Sequence, residues 1–154
     1  MKNNKSAGLL PYRIRGSFIE FFLVHPGGPF WKNKDNGAWS IPKGEFTEEE
    51  PLIAAQREFL EETGLEAKEK FIPLTPVKQK SGKLIFAFGV EMEIDPSFIR
   101  SNQFEIEWPP HSKKMQAFPE VDKAGWFQLE EAKLKVNPAQ FGLIKELLSK
   151  LQLD

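Results

Sequence analysis

The segment from Gly44 to Leu65, GEFTEEEPLIAAQREFLEETGL, constrains the fold more than any other part of the chain. Pro51 loses no hydrogen bond in the first turn of a helix, and Gly64 can take the left-handed conformation that ends one. Between them, apolar residues recur with helical spacing. The sequence therefore predicts a helix from about Glu50 to Thr63.

Three carboxylates share one flank of this predicted helix. At about 100° of rotation per residue, Glu58, Glu61 and Glu62 fall within an arc of about 100°. Like charges at these spacings repel, so a compensating cation is expected, and a hard divalent ion with oxygen ligands fits. The alternative is a solvated acidic face. The opposite flank is expected to meet the core through its apolar residues, Leu52, Ile53, Phe59 and Leu60.

The amino-acid composition excludes several kinds of metal site, catalytic site and binding partner. The 154 residues include no cysteine and two histidines, which excludes thiolate zinc sites, disulfides and cysteine nucleophiles and leaves carboxylate-bound Mg²⁺ or Mn²⁺. With 21 Lys+Arg against 22 Asp+Glu, no overall field favours nucleic acid or an anionic membrane. The sequence has no signal peptide and no apolar run of membrane-spanning length, so a cytoplasmic protein is expected. The length and the 40% hydrophobic content fit one domain over residues 1–154.

The remaining patterns predict a mixture of strands and helices. Strands are indicated by β-branched and aromatic runs at 9–24 (broken at Gly16), 71–79, 83–93 and 104–108 and by a run at 124–128 that leads into a short helix. A final helix begins at Asn137-Pro138, ends near Lys150, and should cover the sheet with one face. Residues 25–37 are too rich in Gly and Pro for regular structure, which indicates a functional loop. Its Phe30 and Trp31 either anchor the loop or contact a ligand.

The segment from Gly44 to Leu65 also resembles the Nudix box, G-x5-E-x7-R-E-U-x-E-E-x-G-U, where U is aliphatic or aromatic. The match is position for position from Glu49 to Leu65. One residue is missing between Gly44 and Glu49, and we place the deletion in the loop, because a deletion inside the helix would rotate everything after it. The resemblance implies a complete Nudix domain of class α+β, an α/β/α sandwich with a mixed β-sheet.

The resemblance also implies an activity, the metal-dependent hydrolysis of a nucleoside diphosphate linked to another group. The reaction would release a nucleoside monophosphate. Dinucleoside polyphosphates and nucleoside triphosphates are the leading substrates, and Pro42-Lys43-Gly44 resembles the diadenosine-polyphosphate hydrolase branch. The alternative is a Nudix-like module that binds a nucleotide without cleaving it. The expected partner is this small molecule, with no nucleic acid and no membrane, and the chain is expected to be a monomer or a homodimer.

Residue roles follow from the same resemblance. Glu58, Glu61 and Glu62 would hold Mg²⁺ or Mn²⁺, with a backbone carbonyl of Gly44 or of Lys43 as a further ligand. Arg57 would fix the geometry of a box carboxylate, and Glu49 would support the helix start or the ligands.

The general base is assigned to Glu120 or to the box itself, with Glu105 and Glu107 as alternatives. Substrate contacts are expected from Lys43, Trp39 and Arg13, which can equally be ordinary strand and loop residues. The candidates for stacking on a base are Phe30, Trp31, Trp108 and Phe118.

Overall fold

The computed structural model describes residues 4–152. Its elements in chain order are β1 (Lys5–Arg15), β2 (Phe18–Pro26), β3 (Lys43–Glu45), α1 (Pro51–Thr63), β4 (Phe71–Pro73), β5 (Val77–Lys78), β6 (Leu84–Glu91), β7 (Gln103–Glu107), β8 (Met115–Pro119), β9 (Val121–Gln128), α2 (Leu129–Lys135) and α3 (Phe141–Gln152). Single 3₁₀ turns occupy Pro96–Phe98 and Pro138–Gln140. No helix in residues 4–152 is both long enough and apolar enough to cross a membrane.

The central sheet is mixed, as predicted. Its strands run in the order β4-β6-β1-β2-β9, while β3 pairs with β1 and β5 with β6. Strands β1 and β6 are parallel, and the other pairings in this sheet are antiparallel. Strands β7 and β8 form a separate two-stranded sheet.

Helices cover both faces of the central sheet. Neighbouring residues of a strand point to opposite faces, so Leu9 packs on the α1 side with Phe59, while Leu10 packs on the other side with Ile144 of α3. This double burial explains why β1 and β2 read as nearly continuous apolar runs rather than as alternating ones. The two covered faces confirm the α/β/α sandwich.

Several local predictions hold. Helix α1 starts at Pro51 and ends at Gly64, whose φ of 78° lies in the left-handed region. The break between β1 and β2 falls at Gly16, where φ is 61°. Asn137 accepts a hydrogen bond from the backbone N–H of Ala139, but a 3₁₀ turn precedes α3. His25 belongs to β2 rather than to the loop, and β3 and β8 were not predicted.

The predicted core face of α1 is partly wrong. Ile53 and Leu60 are 53% and 48% exposed, whereas Ala54 and Ala55 are fully buried beside Phe59. The reason is that Ala54 and Ala55 pack in the same cluster as Ala7 and Leu9 of β1, while Glu58 lies against Gly44 of β3. The helix is therefore turned with its carboxylate flank toward the sheet. That rotation brings Glu58 to 8% exposure.

Candidate active site

Helix α1 comes very close to strand β3 at Gly44. A Cβ atom built on this glycine would lie 1.7 Å from Oε1 of Glu58. Strand β3 holds Gly44 in place because it pairs with β1, where Gly44 lies opposite Ala7. Only glycine therefore leaves room for the Glu58 carboxylate, and the glycine of the motif has a steric role.

Glu62 lies against the preceding residue of the same strand. The backbone N–H of Lys43 donates to Oε1 of Glu62 over 3.2 Å. Burial raises the pKa of Glu62 to about 8, and the nearby charges of Glu120 and Glu58 act in the same direction, against the opposing effect of Lys43. Burial also lowers the pKa of Lys43. This part of the site therefore holds a carboxylate whose ionisation is disfavoured.

Arg57 connects three carboxylates of the motif. Its Nε and Nη2 donate to Glu49 over 2.9 and 2.7 Å, and its Nη1 donates to Glu58 over 2.6 Å and to Glu61 over 3.1 Å. Hydrogen bonding to Glu49 is the main cause of a raised Arg57 pKa. The same contact lowers the pKa of Glu49. Glu49 therefore supports Arg57, which in turn orients Glu58 and Glu61.

Glu120 faces this cluster from the turn between β8 and β9. Its N–H donates to the carbonyl of Asn102 over 2.9 Å, and its carbonyl accepts from the N–H of Gly27 over 3.0 Å. Burial raises the pKa of the Glu120 carboxyl, with a further contribution from the charge of Glu61. The backbone of Glu120 is thus fixed on both sides, and its carboxyl group is electrostatically coupled to the helix.

A cavity of about 250 Å³ opens beside these groups. Its charged lining residues are two acids and one lysine, Glu62, Glu120 and Lys43. The remaining lining residues are Val24, Pro26, Trp31, Ala38, Trp39, Ser40, Ile41, Gln79, Val121, Asn137 and Gln140. The shape and the mixture of charge, amide and indole groups suit a small polar ligand with a planar ring.

Of the predicted substrate contacts, Lys43 and Trp39 line the cavity and Arg13 does not. Trp39 is 6% exposed, donates from Nε1 to Asp35 over 2.7 Å and is therefore mainly part of the wall. Arg13 lies five positions beyond Gly8, the β1 residue opposite Lys43. Its guanidinium bonds Glu20 and Glu93 and stacks 4.3 Å from the Trp126 ring centroid. These contacts fit the alternative that Arg13 is an ordinary strand residue, and its contact with a substrate stays a prediction.

The alternative bases and most stacking candidates lie outside this cavity. The Glu107 carboxylate accepts from the backbone N–H groups of His111 and Lys113, and so it closes the turn between β7 and β8. Glu105 is exposed on β7. Trp108 and Phe118 line a separate cleft, and Phe30 contacts Trp108 edge to face at 5.5 Å. Of the four stacking candidates, Trp31 alone reaches the cavity beside Glu62.

Gln140 is a cavity residue that the sequence did not predict. Gln140 is 1% exposed, and its Oε1 accepts from the N–H of Ile41 over 3.0 Å. Its Nε2 donates to the Ser40 hydroxyl over 3.0 Å. In the sequence, Gln140 lies just after the helix-start signal at Asn137. That signal predicts a helix start there but does not indicate that Gln140 lines a cavity. Its partners are about a hundred positions away, so no local signal reveals them.

The donor set fits a hard divalent cation. Glu58, Glu61 and Glu62 offer oxygen ligands, and burial raises the pKa of both Glu58 and Glu62, so a cation would offset both desolvation and repulsion. In this arrangement Arg57 bonds Glu58 and Glu61. Within residues 4–152, no group of three or more His, Asp or Glu side chains has the arrangement needed to hold a metal ion. An ion would therefore have to compete with Arg57 for these carboxylates.

Comparison with known proteins decides the family. The NUDIX domain model matches residues 2–147, nearly the whole chain. The chain belongs to the Nudix family. No curated protein sequence matches the chain.

Solved structures share the Nudix fold across almost the full length. A binary complex of C. elegans Ap4A hydrolase is 22% identical with a TM-score of 0.66, covering 97% of this chain and 99% of that chain. A mutT/nudix family protein from Listeria innocua is 18% identical with a TM-score of 0.64, covering 99% and 96%. The NUDIX domain of Shewanella oneidensis NrtR, complexed with ADP ribose, is 14% identical with a TM-score of 0.60, covering 96% and 90%. These likenesses show the fold.

Proposed function

We propose that this protein hydrolyses the diphosphate linkage of a nucleotide in a metal-dependent reaction that releases a nucleoside monophosphate. The observation that carries the proposal is the placement of the buried Glu58 and the partly buried Glu62 against β3, where Gly44 makes room for one carboxylate and the Lys43 N–H binds the other. Burying two acids is costly unless a cation compensates them. A purely structural helix would carry apolar residues at these positions.

The metal would be held by Glu58, Glu61 and Glu62 together with the backbone carbonyl of Gly44. Mg²⁺ or Mn²⁺ is the expected ion because the donors are hard oxygens. When bound, it supplies charge neutralisation for the diphosphate and lowers the pKa of a bound water. This chain's own residues set the geometry, since Arg57 orients two of the carboxylates through hydrogen bonds of 2.6 and 3.1 Å.

Lys43 and Glu120 have separate roles at the cavity end. The Lys43 ammonium lies beside Glu62 in the cavity lining and is placed to contact a phosphate oxygen of the substrate. Glu120 is the proposed general base. Burial and the charge of Glu61 raise its pKa, which brings a carboxylate closer to the range in which it accepts a proton from water near neutral pH.

The substrate is proposed to be a dinucleoside polyphosphate or a nucleoside triphosphate. The cavity offers Trp31 as a stacking surface and amide groups at Gln79 and Asn137 to a planar ring. The C. elegans neighbour is an Ap4A hydrolase, and the NrtR domain was solved with ADP ribose. Ap4A, the compound in the name of the C. elegans protein, and ADP ribose both contain adenosine joined to a chain of two or more phosphates, which supports the class of substrate.

A substrate screen tests the proposal. Purified protein would be assayed with dinucleoside polyphosphates, nucleoside triphosphates, ADP-ribose and nucleotide sugars, each with Mg²⁺, with Mn²⁺ and with a chelator. We expect metal-dependent release of a nucleoside monophosphate from at least one of them, and release about 100- to 1000-fold slower by the Glu62→Gln variant. Absence of turnover on every diphosphate would contradict the proposal. Tight binding of a nucleotide recovered intact would favour the binding module instead.

A further inference from the structure

The loop of residues 27–38 forms one wall of the cavity. It carries Trp31 into the lining, and its Gly27 N–H bonds the Glu120 carbonyl. Its far end is held by Asp35, which accepts from Trp39 Nε1 over 2.7 Å and also pairs with Lys135. The position of this loop therefore affects both the wall beside Glu62 and the segment that carries Glu120.

His25 lies beneath the loop at the end of β2 and is completely buried. Its Nε2 is 2.6 Å from the carbonyl oxygen of Lys34 in the loop, and its Nδ1 is 2.8 Å from Oδ1 of Asp122 on β9. The pairing of β2 with β9 shifts at this point, since His25 pairs with Lys123 and Pro26 with Val121. Asp122 is the extra residue of this β-bulge, which places its carboxylate beside the imidazole.

Both ring nitrogens of His25 thus face hydrogen-bond acceptors. A carbonyl oxygen cannot donate, and an ionised carboxylate cannot donate either. A neutral imidazole has one N–H and would leave a lone pair directed at one of these oxygens. The doubly protonated ring donates to both, and the Trp39 ring packs against it edge to face at 5.4 Å. The contacts of His25 therefore present an acceptor to each of its two ring nitrogens, one in the loop and one on β9.

We propose that His25 is a positioning residue that fixes the 27–38 loop against the sheet by donating from both ring nitrogens. It acts through the loop, since its two nitrogens are fully engaged and it does not line the cavity. Loss of this connection would leave the far end of the loop held by Asp35, so the wall that carries Trp31 would loosen without the fold being lost. The consequence for substrate affinity rests on the proposed function, whereas the state of the ring and the order of the loop do not.

Two variants and one control test this role. His25→Gln can donate at one acceptor while its own oxygen faces the other. Asp122→Asn keeps an acceptor of the same size but removes the charge from a partly exposed side chain. The control is His111→Asn, which replaces the second of the two histidines in the sequence. His111 is exposed with φ of 64°, a conformation that asparagine tolerates.

The first measurements do not depend on activity. Nitrogen-15 NMR at neutral pH should show a directly bonded proton on both ring nitrogens of His25, and hydrogen–deuterium exchange should be about tenfold faster across residues 27–38 in His25→Gln, on the scale of one lost charged hydrogen bond. His111→Asn should exchange like wild type. A single ring proton on His25, or unchanged loop exchange in His25→Gln, would overturn the proposal. If His25→Gln does not fold, Asp122→Asn decides, with faster exchange in the same segment expected and unchanged exchange overturning it.

Kinetics separate positioning from a general structural role. With any substrate found in the screen, His25→Gln should raise KM about tenfold while kcat changes less than about threefold, because the loop forms the binding wall and the carboxylate cluster stays intact. An equal loss of kcat with unchanged KM would overturn the assignment to the binding wall. If wild type cleaves no diphosphate, the proposed function fails, and the NMR and exchange results still decide the role of His25.

Discussion

The two helical layers of this protein cover the same sheet with different chemistry. Helix α3 buries hydrocarbon, and its Leu143, Ile144 and Leu147 are fully buried. Helix α1 buries Phe59 and two alanines, but at the same interface it also buries Glu58 against Gly44. The α3 side stabilises the fold through apolar burial. The α1 side buries carboxylates, and their desolvation disfavours folding until a cation offsets it.

This difference separates residues for stability from residues for chemistry. On the α3 side, a substitution should change the free energy of unfolding and leave the activity of folded molecules unchanged. On the α1 side, an isosteric change of a carboxylate should change activity and leave the fold intact. Each of the following experiments perturbs one layer and asks whether the other property moves.

The largest effect is expected from Glu61→Gln or Glu62→Gln. Each removes a negative ligand while conserving volume, so kcat should fall by about 100- to 1000-fold, the scale of losing a principal electrostatic stabiliser. A thermal melt without metal should show a stability equal to or above that of wild type, because carboxylate repulsion is relieved. Turnover near the wild-type rate in Glu62→Gln would refute the assignment of this flank to catalysis.

The sequence predicted the α1 helix well because its signals are local. Pro51 and Gly64 mark its ends, and the motif spacing places the carboxylates on one flank whatever the rest of the chain does. It failed on Ile53 and Leu60, since apolar character alone did not reveal that the small residues Ala54 and Ala55 meet the sheet.

Long-range contacts account for what the sequence could not predict. His25 meets Asp122 across 97 positions, and Gln140 meets Ile41 across 99. Arg13 likewise pairs with Glu93 across 80 positions, a partner that its place on an early strand did not reveal. Such pairings depend on strand register, which one sequence does not specify.

The next largest effect is expected on the other layer. Leu147 is fully buried, and a Cβ built on Gly89 would lie 2.6 Å from its Cδ1. Leu147→Ala should lower the free energy of unfolding by about 2–5 kcal/mol, measured by denaturant unfolding, while kcat of the folded enzyme stays within about twofold of wild type. The matched control is Leu134→Ala, at a side chain that is 61% exposed, with a change below about 0.5 kcal/mol. A large loss of kcat in folded Leu147→Ala would contradict the claim that the α3 side affects stability and not activity.

A pH effect on stability is expected from the carboxylate layer of the metal-free protein. The pKa of Glu62 rises from 4.5 to about 8 on folding, so between these values the folded state keeps a proton that the unfolded chain releases. The free energy of unfolding should therefore fall as pH rises through this interval. Unfolding in chelator across this pH range measures the slope, which Glu62→Gln should flatten. An unchanged slope in that variant would show that Glu62 is not the group responsible.

The last substitution separates Glu120 from a surface carboxylate. If Glu120 is the general base, Glu120→Gln should lower kcat by about 100-fold or more, the scale of general-base catalysis, and should leave metal affinity within about threefold of wild type. Glu105→Gln, on an exposed position of β7, is the matched control and should change neither quantity. A metal affinity that falls with kcat in Glu120→Gln would make Glu120 a ligand instead of the base.

Metal titration tests the central claim most directly. Isothermal titration calorimetry of Mg²⁺ and Mn²⁺ into wild type, Glu62→Gln and Leu147→Ala reports binding whether or not a substrate is known. We expect wild type and Leu147→Ala to bind with the same affinity and Glu62→Gln to bind at least about tenfold more weakly, as for the loss of an important metal-site group. Equal affinity in wild type and Glu62→Gln would show that the α1 flank is not the metal site and would contradict the account.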